Sequence, residues 1–112
     1  MQVLAGSDRR KYRRIGTDQM MSFASVSGRQ RVASGRDVSK GGIRFEVVGC
    51  EINLGEILTV TFSLESRLVV AVGRVAWATD LDALSTDVGI EFLELDPAAS
   101  RFLEELGDET EP

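Results

Sequence analysis

"ILTVTFSLESRLVVAVGRVAWAT", residues 57 to 79, holds two runs rich in Val, Ile, Thr and Phe on either side of Glu65-Ser66. β-branched and aromatic residues favour strands, and a two-residue separator is the commonest link between antiparallel neighbours, so the stretch reads as a hairpin of strands 57–64 and 67–79. The second run is long, and Gly73 inside it marks a bulge or bend.

Working outward, IRFEVVG (43–49) is a further strand, and Gly49 to Gly55 forms a loop containing Cys50 and Asn53. QMMSFASV (19–26) and RQRVASGR (29–36) flank a Ser27-Gly28 turn and read as another hairpin. Downstream, Asp80 to Ser85 is a polar turn and TDVGIEFLEL (86–95) the last strand. Asp96-Pro97 then supplies an N-cap and a proline at the first helical position, opening a short helix through AASRFLEEL to Gly107. Phe102, Leu103 and Leu106 fall on one face of that helix, enough to cover an end or side of the sheet. Six short strands with no helix between them, followed by one helix, exclude a parallel α/β fold. They predict an all-β fold with a C-terminal helix, a six-stranded antiparallel barrel whose closure removes its edges.

Length and composition narrow the function. At 112 residues, with 43% hydrophobic and 28% charged residues, the chain suits one domain with tails. No stretch approaches the roughly 18 apolar residues of a membrane span, and the N-terminus lacks the order of a secretory signal. With one cysteine, Cys50, no internal disulfide forms, and with no histidine the usual zinc sites and histidine-based catalysis are out of reach. No metal, no enzymatic activity, no membrane insertion and a cytoplasmic location are expected.

Charge is uneven. Residues 8–14 carry five positive charges and one negative, net +4, within a chain of net charge -5, so the remainder carries -9. An acidic protein is a poor general binder of DNA or RNA, whereas a basic arm on an acidic body suits a small anionic ligand. Aromatic residues make up only 6% and do not interleave with the basic ones, against a single-stranded nucleic-acid platform.

The loop GRDVSKGGIRF (35–45) carries Asp37 and Ser39 two residues apart, so a strand reaching Ser39 points both to one face, a carboxylate beside a hydroxyl. Gly41 and Gly42 let a ligand approach the backbone closely. Arg14 precedes the first strand and Asp37 ends the second, so the hairpin between them returns Asp37 to the rim that holds Arg14. Arginine forks grip phosphate or the O6/N7 edge of guanine, and a carboxylate accepts from guanine N1 and N2 hydrogens. The combination describes a guanine nucleotide with phosphates.

Arg10-Lys11-Tyr12-Arg13-Arg14 reads as RxxxR and Asp37-Val38-Ser39-Lys40-Gly41-Gly42 as (D/N)xSxxG; in this order and separation the pair resembles the PilZ domain. GRVAW (73–77), GIEFLELD (89–96) and the terminal helix resemble the same family, over roughly residues 8 to 106. The resemblance implies a single-domain receptor for the bacterial second messenger cyclic di-GMP, one or two molecules per chain, that orders its N-terminal arm and relays the signal to an unidentified effector protein. It implies that Arg10 and Arg14 hold phosphates and guanine edges, Asp37 reads a Watson–Crick edge, Ser39 bonds a phosphate or base, Gly42 permits close approach and Arg9 is a third cation. Arg9 to Arg13 also fits RxxxR; Arg10 and Arg14 are preferred because Tyr12 and Ile15 then fall where the family has an aromatic and an aliphatic residue.

Arg13, Lys40, Gly41 and Trp77 are expected as secondary ligand contacts. For Trp77 the core or wall of the barrel is the favoured role and ligand contact the second; for Lys40 and Arg44 solvated surface is favoured over added charge at the site, and for Met20 and Met21 core packing over a pliable interaction surface. The layout expected is a flexible 1–7, a basic arm 8–18, a barrel 19–95, a helix 96–106 and an acidic tail 107–112. The competing reading is a PilZ-like protein-interaction module of motility or pilus machinery that does not bind the nucleotide.

Overall fold

The computed structural model describes residues 15–16, 19–26 and 28–109. Arg9, Arg10, Arg13 and Arg14, the segment 1–7 and the end of the acidic tail lie outside the described residues. The elements are β1 (Ile15–Gly16), β2 (Met20–Ser25), β3 (Arg31–Ser39), β4 (Gly42–Val48), β5 (Ile57–Leu64), β6 (Arg67–Asp80), β7 (Ser85–Leu95) and α1 (Pro97–Glu109).

Strands β3, β2, β5, β6, β7 and β4 pair in that order, all antiparallel, and β4 returns to β3, closing a six-stranded barrel. The two-residue β1 lies outside this ring and pairs with the far end of β3, Ile15 opposite Val38 and Gly16 opposite Asp37. Alternation sets the interior: Leu58, Val60, Phe62 and Leu64 on β5 and Ile43, Phe45 and Val47 on β4 are buried, their intervening neighbours facing out. Phe23 and Phe45 stack at 5.3 Å between ring centroids in this core. Met21 is buried as expected, while Met20 is exposed.

The β5–β6 hairpin closes through Leu64 opposite Arg67, with Glu65 and Ser66 both at positive φ (49° and 72°). Those are the dihedral signs of a type I′ turn, the form that matches the twist of the strands. The register irregularity expected at Gly73 does fall there, but its extra residue belongs to the partner strand: Val72 pairs with Glu94 and Gly73 with Phe92, leaving Leu93 of β7 unmatched. A Cβ on Gly73 would lie 2.3 Å from the Ile90 side chain.

Helix α1 begins where the sequence indicates: the backbone N–H groups of Ala98 and Ala99 donate to Asp96 Oδ2 at 3.0 and 3.2 Å. It runs three residues beyond the expected end at 106, to Glu109. One glycine costs a helix only about 1 kcal/mol relative to alanine, too little to stop it without a capping partner. Ala99 and Leu103 are buried against the barrel and Phe102 packs beside them, under the Arg67 guanidinium at 5.0 Å. Leu106 lies outside the described side chains. No described helix is long and apolar enough to cross a membrane.

Two outer walls differ sharply. Across β3, β2, β5 and β6, the cross-strand row Val32, Ser22, Thr61, Val70 carries no charge, and exposed Met20 and Leu68 flank it. The wall formed by β3, β4, β7 and β6 carries ion pairs, and the candidate site lies there.

Candidate functional site

A cross-strand row on that wall runs Asp37 on β3, Arg44 on β4, Gly89 on β7 and Trp77 on β6. Asp37 faces outward because β3 has a bulge: the register to β4 shifts between Gly35 and Asp37, leaving Arg36 as the extra residue. Without it strict alternation would send Asp37 inward beside the buried Ala33 and Gly35. Arg36 instead pairs with Glu46 on the same wall.

Arg44 sits between two carboxylates. Its Nε lies 3.2 Å from Asp37 Oδ2 and its Nη1 3.8 Å from Asp87 Oδ2, both acids being less than one-fifth exposed. The Nε is buried yet makes no aligned hydrogen bond, so its attraction to Asp37 is one of proximity and charge. Arg44 and Lys40 both lie partly exposed at the surface, as expected, and both are also paired, Lys40 Nζ lying 2.8 Å from Glu104 Oε2 on α1. The motif turn is thereby tethered to the helix.

Trp77 is not a core residue. It stands on the outer wall, 38% exposed, with its indole over Gly89. A Cβ on Gly89 would meet Cε2 and Nε1 of the indole at 2.2 Å. An aromatic face and a cation therefore occupy opposite sides of a position that has no side chain.

Ser39 is buried, and its Oγ accepts the N–H of Gly41 at 3.1 Å, bracing the β3–β4 turn while leaving the hydroxyl proton to be donated. At Gly42 the close neighbour is the protein itself: a Cβ there would lie 2.0 Å from the Ile90 carbonyl oxygen on β7. Barrel packing alone thus demands glycine at Gly42. Gly41 uses its carbonyl to accept the Phe92 N–H at 2.9 Å, a second tie from the turn to β7.

The described structure thus brings together Asp37, Ser39, Lys40, Gly41 and Gly42 at one rim and places Trp77 on the adjoining wall. The arginines of the arm lie outside the described residues, but the residue after Arg14 is paired beside Asp37. Sequence reasoning did not single out Asp87 or Gly89, because the β4–β7 pairing that places them is non-local. It did include Arg44, whose pairing with Asp37 follows from counting outward from Lys40-Gly41. Among the described residues no group of His, Cys, Asp or Glu side chains could hold a metal ion.

The barrel capped by a C-terminal helix, with this motif turn on its rim, defines a class of small β-barrel domain. The model of the PilZ domain matches residues 8–107, and the chain belongs to that family. Among functionally curated proteins none matches the sequence. Among solved structures, the inhibitor of motility of Bacillus subtilis is similar at a TM-score of 0.75 and 17% identity, over 90% of this chain and 50% of that one. The PilZ domain of YcgR from Escherichia coli, solved with c-di-GMP, is similar at 0.67 and 15% identity, over 90% of both chains. The PlzA protein of Borreliella burgdorferi in complex with c-di-GMP is similar at 0.64 and 15% identity, over 91% of this chain and 42% of that one. The chain thus spans about half the length of the inhibitor of motility and less of PlzA.

Proposed function

We propose that this protein is a cytoplasmic receptor for cyclic di-GMP, bound between the basic arm and the wall carrying Asp37 and Trp77. One observation supports this above the others: Ile15 pairs with Val38 and Gly16 with Asp37, so the end of the arm and the second motif share one rim. In this reading Arg10 and Arg14 grip phosphates and guanine edges, with Arg9 and Arg13 adding charge. Asp37 accepts from a guanine Watson–Crick edge, Ser39 donates to a phosphate or base, and Lys40 and Gly41 border the ligand. Gly42 sets how closely β4 and β7 approach beneath it.

The Trp77 indole supplies a stacking face, worth about 1 to 3 kcal/mol per base. Fixing arm residues costs about 1 to 2 kcal/mol each, so several charge-assisted contacts of about 1.5 to 3 kcal/mol are needed to offset it. The clamped arm and the Lys40–Glu104 tether then present a changed surface to a protein effector. Calorimetric titration with cyclic di-GMP tests this, with GTP and cyclic di-AMP as controls. Micromolar or tighter binding, at one or two ligands per chain and lost in Arg10→Ala and Asp37→Ala, is the expected result.

A second reading draws on the uncharged row Val32, Ser22, Thr61, Val70. Exposed valines on an uncharged wall suit a protein contact, which an interaction module that ignores the nucleotide would use.

A further inference from the structure

We propose that Arg44 is a positioning residue that neutralises Asp87, making this wall of the barrel acceptable to an anionic ligand. The inference rests on the cyclic di-GMP reading, and it assigns Arg44 and Asp87 roles that neither motif contains.

β4 and β7 pair with Arg44 opposite Gly89 and Glu46 opposite Asp87, so Arg44 and Asp87 are diagonal neighbours on the outer wall. Arg44 lies within 4 Å of both Asp37 and Asp87 and is 41% exposed, while the two acids are 17% and 19% exposed. Glu46, the next acid on the wall, already has Arg36. The Arg74 guanidinium pairs with Glu91, and Lys40 with Glu104. Among the described residues Arg44 is therefore the one cation paired with Asp87.

Asp37 has a use in recognition, since its oxygens match guanine donors. Asp87 has none there: it adds a partly desolvated negative charge beside a site proposed for a molecule with two phosphates. A carboxylate in that position repels the ligand, and partial burial weakens the screening that water would provide. Arg44 offsets this charge, and its Nε, buried and without an aligned hydrogen bond, is held where Coulomb attraction to both acids places it.

A double-mutant cycle separates this role from direct contact with the ligand. Cyclic di-GMP affinity is measured by calorimetry for the unmodified chain, Arg44→Gln, Arg44→Lys, Asp87→Asn and Arg44→Gln/Asp87→Asn, with thermal denaturation checking that each is folded. Arg44→Gln is expected to weaken binding tenfold or more, and Arg44→Lys, which keeps the charge, only a few-fold. Asp87→Asn alone is expected to bind at least as tightly as the unmodified chain. The double variant is expected to recover most of the loss, and the deficit of Arg44→Gln relative to the unmodified chain to narrow at high salt.

If the double variant stays as weak as Arg44→Gln, Arg44 acts on the ligand directly or through Asp37 and not by neutralising Asp87, and the proposal fails, with the receptor reading intact. If Arg44→Gln binds normally, Asp87 does not repel the ligand and the proposal likewise fails. If the unmodified chain does not bind, both readings fall together.

Discussion

Gly89 and Trp77 fit as seat and occupant: the indole lies over the glycine so closely that a Cβ there would overlap it, at 2.2 Å from Cε2 and Nε1. Trp77 is half-exposed and on the outer wall, so it can swing aside instead of forcing the strands apart. Gly89→Ala is accordingly expected to cost only about 1 kcal/mol, at the low end for overpacking, while moving the indole into water. Trp77 is the sole tryptophan, so intrinsic fluorescence reports this directly. A red-shifted emission with a nearly unchanged melting temperature is predicted, and weaker cyclic di-GMP binding should accompany it.

Gly42 predicts the opposite outcome. There the obstruction is the backbone carbonyl of Ile90 at 2.0 Å, which cannot rotate away. Gly42→Ala should destabilise the barrel by about 3 kcal/mol, measured by denaturant unfolding. Loss of ligand binding in that variant would report a damaged fold, so Asp37→Ala is the cleaner probe of the second motif.

The β5–β6 turn is strained as written. Glu65 and Ser66 both hold positive φ, a conformation costing side-chain-bearing residues about 1 to 2 kcal/mol each. Glu65→Asn/Ser66→Gly places at those positions the pair that type I′ turns favour. The expected gain is about 1 kcal/mol, a rise of several degrees in Tm for a domain of this size. An unchanged or lower Tm would contradict the turn geometry.

Asp82 ties the β6–β7 turn by accepting the N–H groups of Leu84 and Ser85 at 2.9 and 2.8 Å. The Leu84 and then the Ser85 backbone hydrogen bonds hold its carboxyl below the usual value of 3.8. A depressed folded-state pKa means that the carboxylate's contribution is present above 3.8 and lost as pH falls through the folded value. The stability difference between the unmodified chain and Asp82→Ala should therefore shrink with falling pH, in chemical denaturation series run from neutrality to below 3.8.

The strands were legible because alternation is local: the run Leu58, Val60, Phe62, Leu64 declares its buried face without reference to the rest of the chain. Asp96-Pro97 announced the start of α1 for the same reason, whereas its end had no comparable signal and Gly107 gave a false one. The bulge at Arg36 has no mark in the sequence, though it decides that Asp37 faces outward. The Asp37–Arg44 pairing was recoverable from hairpin counting, because Ser39 faces Gly42 across the turn and the register runs back from there. Asp87 and Gly89 depend on β7 closing against β4, a pairing between distant segments. The outward position of Trp77 follows from a second register shift on β6, between Val75 and Trp77, that the apolar run conceals.

Cyclic di-GMP is proposed to bind where β1, the Asp37 turn and the Trp77 wall meet. The most direct measurement is an NMR titration of the isotope-labelled protein with cyclic di-GMP, following backbone amides and the Trp77 indole N–H. Saturable shifts at Gly16, Asp37, Ser39, Arg44 and Gly89 and at the indole, with Val32, Thr61 and Val70 unmoved, are predicted. A spectrum unchanged at saturating nucleotide, or shifts confined to the uncharged wall, would contradict the account.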